Sequence, residues 1–177
     1  MIKNLELILN LPTFNSMSNL EEILDALVKS GLKIKKIYIT DNNSQISNLE
    51  KTKLVKVLKS KYFKNITLII NKKNYGIGGS QKITFESIKN ENFDYFINLQ
   101  TSNKYDPNII INDIKRSIIS EKDYYLFSRF LIKENTKNYN QLRKYANKLF
   151  IFLTKLLTKA NLSDPGNAQY VMKKSLF

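Results

Sequence analysis

Neither cysteine nor histidine occurs among the 177 residues, so any chemistry must come from carboxylates, hydroxyls, amides, lysine, arginine or a bound ion. That excludes disulfides, thiolate zinc sites, cysteine nucleophiles and every triad built on an imidazole base. Short polar or turn-forming segments then stand out: Pro12-Thr13-Phe14-Asn15, Asp41-Asn42-Asn43-Ser44, Asn74-Tyr75-Gly76 and Gln100-Thr101-Ser102. Taken singly, each is also what a strand-to-helix connection needs for caps and turns. Asp41 could simply cap the segment after it, and Gly76, Gly78 and Gly79 could form a plain tight turn.

For these segments to act together, the elements around them must bring them to one place. Leu5 to Leu11 is apolar and ends at Pro12, as a buried strand stopped by a residue that cannot donate to a ladder. Ser18 and Glu21 form a capping-box pattern ahead of Ile23, Leu24, Leu27 and Val28, and Gly31 suits a left-handed helix end. The pattern predicts a strand over Ile34 to Thr40, a lysine-rich amphipathic helix over Leu49 to Leu58, and a strand over Ile66 to Ile70. A glycine-rich turn from Asn74 to Gly79 leads into a helix over Ser80 to Lys89, followed by a strand over Tyr95 to Leu99. A polar loop from Gln100 to Asp106 precedes a helix with Pro107 in its first turn. The remainder reads as a strand at Tyr124 to Phe127, a linker-like stretch from Lys133 to Asn140, a long helix from Gln141 to Lys159, and a short strand from Ala168 to Met172. Strands and helices alternating at this spacing imply an α/β fold with a mostly parallel sheet and helices on both faces. Ligands of such sheets bind beyond the carboxyl ends of the strands, and the polar segments follow four of them.

Composition narrows the setting. The length suits a single domain spanning residues 1–177, and an apolar content of 42% is ordinary for a globular protein. A formal charge of +14 concentrates anions near the chain without choosing among phosphates, nucleic acid and acidic lipid headgroups. The aromatic residues fall mostly on strand and core positions and form no stacking platform with interleaved arginines, which argues against a nucleic-acid-binding module. No apolar run approaches the roughly 20 residues that span a bilayer, and the N-terminus lacks a signal-peptide pattern, so a cytoplasmic domain is expected. In the long C-terminal helix Lys144, Lys148, Lys155 and Lys159 form one stripe and Leu149, Phe152, Leu153, Leu156 and Leu157 another. Such a helix either lies peripherally in an anionic lipid interface or packs on a core with its lysines solvated.

Taken in order, the polar segments resemble a family. Pro-Thr-aromatic-Asn after the first strand, Asp41 with Ser44 three residues on, and Asn74-x-Gly76 before a helix are similar to family 2 glycosyltransferases of the GT-A fold. The dolichyl-phosphate mannose synthase-like and polyprenyl-phosphate sugar transferases are the branch most resembled. Tyr105-Asp106-Pro107, Ser128-Arg129 and Leu162-Ser163-Asp164-Pro165-Gly166 extend the likeness across nearly the whole chain. The resemblance implies a GT-A (Rossmann-like) domain that binds a nucleotide diphosphate sugar and transfers the sugar to an acceptor in cell-envelope glycan or glycolipid synthesis, with polyprenyl phosphate as the acceptor of that branch. It implies nucleotide contacts from Pro12, Thr13, Asn15, Asp41, Asn74, Gly76, Gln100 and Ser102, with Asp41 accepting hydrogen bonds from the base. It gives catalytic roles to Lys104, Arg129 and Asp164.

One departure bears on the metal. The family carries Asp-x-Asp after its fourth strand to hold Mg or Mn, and the residues aligned with it here are Gln100, Thr101 and Ser102. Neutral amide and hydroxyl oxygens are weak ligands for such hard cations. Asp106 is the nearest carboxylate, and it is also placed to cap the helix at Pro107. Two expectations follow: an enzyme in which Lys104 and Arg129 neutralise the leaving diphosphate, or a nucleotide-binding or scaffolding relative without turnover. Because the chain stops at Phe177 where the family continues, it reads as truncated at its C-terminus.

Overall fold

The computed structural model describes residues 5–101, 106–128, 130, 140–160 and 162–177. In chain order the strands are β1 (Leu7–Thr13), β2 (Ile34–Asp41), β3 (Ile66–Ile70), β4 (Tyr95–Asn98), β5 (Tyr124–Leu126) and β6 (Tyr170–Lys173). The α-helices between them are α1 (Leu20–Ser30), α2 (Asn48–Lys61), α3 (Gly76–Ile88), α4 (Pro107–Ile119) and α5 (Gln141–Thr158). The strands form a sheet in the order β3-β2-β1-β4-β6-β5. Pairs from β3 through β4 are parallel, and β6 runs antiparallel to both β4 and β5. This is the expected mostly parallel α/β architecture.

Alternation along β1 sets the two faces. Leu7, Leu9 and Leu11 join Ile23, Leu24 and Leu27 of α1, Val55 and Leu58 of α2, and Ile111 and Ile114 of α4 in the larger core. Ile8 points the other way, into a cluster with Tyr38, Phe96 and Ile88, against which Phe85 of α3 packs. Helices therefore cover both faces, and burial on both sides explains why the central strands are almost continuously apolar. Gly31 ends α1 in the left-handed conformation, with φ at 69°.

Three local expectations are corrected. Strand β1 does not stop at Pro12: it continues to Thr13, pairing Pro12 with Thr40. The Pro12 carbonyl faces the β4 side, where it accepts from Thr101 Oγ1, and pairing with β4 has already ended at Asn10 with Asn98. A missing N–H on that side therefore removes no ladder bond. The Ser18–Glu21 capping box does not form, because residues Met17–Asn19 make a 3₁₀ turn and α1 starts at Leu20 without a side-chain cap. The glycine-rich segment is the first turn of α3 itself, opened at Gly76 with φ at 69°, rather than a loop ahead of it.

Candidate functional site

At the carboxyl ends of β1, β2 and β4 lies a pocket of about 440 Å³. The end of β1 and the segment after it supply most of the wall, with Pro12, Thr13, Phe14, Asn15, Ser16, Ser18 and Asn19. Asn42 after β2, Ile77 and Ser80 of α3, and Gln100 and Thr101 after β4 complete it. Every one of these side chains is uncharged. The size is that of a small-molecule site, with apolar surface from Phe14 and Ile77 beside hydroxyls and amides.

Side-chain hydrogen bonds tie the loops to one another. Thr101 Oγ1 donates to the Pro12 carbonyl at 3.0 Å, so the proton in its 2.6 Å contact with Ser16 comes from the Ser16 hydroxyl. Asn19 Nδ2 donates to the Thr101 carbonyl at 2.8 Å, and its side chain makes no capping bond at the start of α1. Asn15 adopts a left-handed φ of 52°, a region asparagine tolerates better than most residues. Its N–H donates to Ser44 Oγ and its Oδ1 accepts from Gln45 N, both at 2.8 Å. Asn42 Oδ1 accepts from Tyr75 N and Asn71 Nδ2, while its Nδ2 donates to Asn74 Oδ1 at 2.6 Å. Asn74 Oδ1 also accepts from Gly76 N, the first residue of α3.

Asp41 is the expected base-contacting carboxylate, and its geometry differs from that expectation. It is 0% exposed and is not among the residues lining the pocket. Lys51 of α2, itself 2% exposed, pairs with Oδ2 at 2.8 Å. Oδ1 accepts from the Ser44 hydroxyl and from Thr13 Oγ1, and the Ser44 amide donates to both oxygens. Burial pushes the Asp41 pKa up, but the ammonium and the Ser44 donors outweigh it and hold the group below its ordinary value of 3.8. The carboxylate thus organises the loops from beneath. The sequence does not single out Lys51, because lysine in a lysine-rich helix looks like solvated surface.

The remaining candidates divide. Pro12, Thr13, Asn15 and Gln100 line the pocket, whereas Asn74 and Gly76 stand behind it, positioning Asn42 and α3. Asp106 is the N-cap of α4, accepting from Asn108 N at 2.8 Å. Asp164 is 1% exposed in the turn before β6, where its carbonyl accepts from Asn167 N, and it does not line the pocket. Ser102, Lys104 and Arg129 lie outside the described residues, as does most of the stretch Lys133 to Asn140. Phe14, Asn42 and Thr101 belong to the polar segments but were given no pocket role, and Ser16, Ser18, Asn19, Ile77 and Ser80 were missed; nearness in sequence to those segments was the available signal for the latter.

A divalent cation does not fit this donor set. The segment from Leu99 to Tyr105 contains no carboxylate, and Thr101 has its hydroxyl engaged by Pro12 and Ser16. Among the described residues, no group of three His, Cys, Asp or Glu side chains could hold a metal.

Comparison with known proteins agrees with this architecture. The profile described as glycosyl transferase family 2 matches residues 10–177. No curated protein matches the sequence closely enough to count as a relative. Among solved structures, glucosyl-3-phosphoglycerate synthase from Mycobacterium tuberculosis, in complex with Mn2+, uridine diphosphate and phosphoglyceric acid, superposes with a TM-score of 0.64 at 12% identity. That match covers 98% of this chain and 57% of the other. S. aureus TarS 1-349 in complex with UDP gives a TM-score of 0.50 at 15% identity, covering 70% of this chain and 35% of that one. The chain therefore spans well under two thirds of the length of the structures it resembles, and at these identities the likeness is one of fold.

Proposed function

This chain belongs to glycosyl transferase family 2, and from that premise we propose that its pocket binds a nucleoside diphosphate sugar whose glycosyl group is transferred to a lipid phosphate. The observation that carries the reading is the neutral pocket of about 440 Å³ where the loops after β1, β2 and β4 meet. Its position is where an open α/β sheet binds nucleotides. The similar structures contain UDP, and one form of the mycobacterial synthase contains UDP-glucose. Phe14, half exposed on the wall, offers a face on which a base can stack, and the amides of Asn15, Asn42 and Gln100 offer donors and acceptors for its edge.

Transfer breaks the bond between the sugar anomeric carbon and the diphosphate oxygen as the acceptor oxygen bonds to that carbon. The leaving diphosphate needs positive charge. With no carboxylate in the segment from Leu99 to Tyr105, Lys104 and Arg129 are assigned that role. A phosphate acceptor is already an anionic nucleophile, so the reaction does not need a carboxylate base. This favours the polyprenyl-phosphate branch, on the cytoplasmic side of an envelope pathway.

A second reading has its own support: sealed Asp41 and the carboxylate-free loop after β4 also suit a domain that binds nucleotide without turning it over. One experiment separates the two. Thermal shift with UDP, GDP and their sugars is measured with and without EDTA, and release of UDP is then followed with polyprenyl phosphate present. Stabilisation unaffected by EDTA together with UDP release supports the transferase; stabilisation without release supports the binding domain. No stabilisation by any nucleotide removes both.

A further inference from the structure

Helix α5 sits on the protein the wrong way round for a core helix. Lys144, Asn147, Ile151 and Thr154, three and four residues apart, are the positions partly covered. The apolar row Tyr145, Leu149, Phe152 and Leu156 is exposed, and Leu157 beside it is 81% exposed. Among the described residues, none of α5 belongs to either buried core cluster. The expectation that this helix packs on a core is therefore not met. A contiguous apolar row left in water on this scale marks a surface with an occupant.

Charge says which occupant. The segment from Gln141 to Lys159 carries Arg143, Lys144, Lys148, Lys155 and Lys159 and no acidic residue. Lys148, Lys155 and Lys159 fall beside Phe152 and Leu156 at helical spacing, along one border of the apolar row. A second copy would bring the same lysines and another +14 of formal charge to the contact. Lysine is also depleted at the centres of protein interfaces. An anionic lipid surface complements both parts, with acyl chains for the apolar row and headgroup phosphates for its border. No helix among the described residues is long and apolar enough to cross a membrane.

Topology ties this helix to the pocket. Asn10, Asn98, Tyr170 and Leu126 lie in one row across β1, β4, β6 and β5. The chain leaves the sheet after Leu126 and returns at Tyr170, and α5 lies between these points. Both connections are thus at the strand ends that carry the pocket loops.

We propose that α5 lies in the headgroup layer of an anionic lipid membrane, with Leu149, Phe152 and Leu156 immersed and Lys148, Lys155 and Lys159 on lipid phosphates. The inference deepens the lipid-phosphate reading above, and the test is arranged so that each can fail alone. The protein is floated with vesicles of phosphatidylcholine, with and without phosphatidylglycerol, at low and high salt. It binds the anionic vesicles at low salt and is released by high salt. Phe152→Asp with Leu156→Asp abolishes binding, and Lys148→Gln with Lys155→Gln weakens it on the order of tenfold. Circular dichroism and the UDP thermal shift without vesicles check that both variants fold and keep their pocket. Wild type that stays in solution with anionic vesicles at low salt overturns the proposal, as does a Phe152→Asp, Leu156→Asp variant that floats equally well. A dimer split by those same two substitutions, without flotation, assigns the face to a second copy and overturns it too. Flotation without a nucleotide thermal shift leaves the membrane inference standing and removes the proposed function; the reverse result does the opposite.

Discussion

At the scale of single residues, the pair formed by Asp41 and Lys51 controls what the pocket loops can do, because the carboxylate beneath them is held entirely by protein donors. Replacing Lys51 by Met leaves that buried charge uncompensated, and removing one partner of such a pair typically costs about 3–5 kcal/mol. Chemical denaturation should show this loss, with Asp41→Asn added to Lys51→Met recovering most of it; independent, additive effects would contradict the coupling. The pH dependence has a definite sign. Since the folded pKa of Asp41 lies below its ordinary value of 3.8, the contribution to stability is present above the unfolded pKa and is lost as pH falls through the folded one. Acid titration of the double variant should lack that component. At the pocket wall Phe14→Ala should remove the proposed stacking face, worth ~1–3 kcal/mol. UDP affinity by calorimetry should fall about tenfold or more with little change in melting temperature, and unchanged affinity would remove Phe14 from the base site.

Elements differ in how openly their sequences announce them. The Ser18 and Ser47 segments carry the same signal, a serine followed three residues later by glutamate. Only Ser47 makes the box, its hydroxyl accepting from Glu50 N while Glu50 reaches back to Ser47 N. At the other site Met17–Asn19 form a 3₁₀ turn ahead of α1, in which Asn19 donates to the Thr101 carbonyl, a tertiary contact that local spacing cannot foresee. Ser47→Ala should therefore cost about 1 kcal/mol of stability, and Ser18→Ala much less, measured side by side by denaturant unfolding. Helix α3 depends on glycine in a different way. A Cβ at Gly79 would lie 2.5 Å from the Tyr75 Cβ, close to the backbone where nothing can swing aside. Gly79→Ala should displace the Asn74–Tyr75 turn and weaken nucleotide binding through Ile77 and Ser80. A variant with wild-type affinity and stability would show that the turn adapts freely.

On the scale of the whole molecule, the buried clusters lie on the two faces of the sheet, and among the described residues α5 contributes none to either. Hydrogen exchange should reflect that division: amides of β1 and β4 protected to the level of global unfolding, those of α5 exchanging through local opening. Equal protection of α5 and β1 in solution would mean that the helix has a partner. The +14 charge acts at this scale as well, raising the local concentration of anionic ligands and surfaces, so weak nucleotide binding should fall with ionic strength.

Periodicity and turn chemistry in the sequence determined the strands, most helix boundaries, the parallel α/β class and the ordered polar segments, because these depend on residues near one another along the chain. Which atoms of those segments face the pocket was decided only by packing. Asp41 and Asn42 are adjacent, yet the first turns inward to Lys51 and the second lines the pocket. The direction of the α5 apolar row was equally hidden. A stripe of leucine and phenylalanine reads the same whether it faces a core or leaves it, and only the rest of the molecule determines which side is covered.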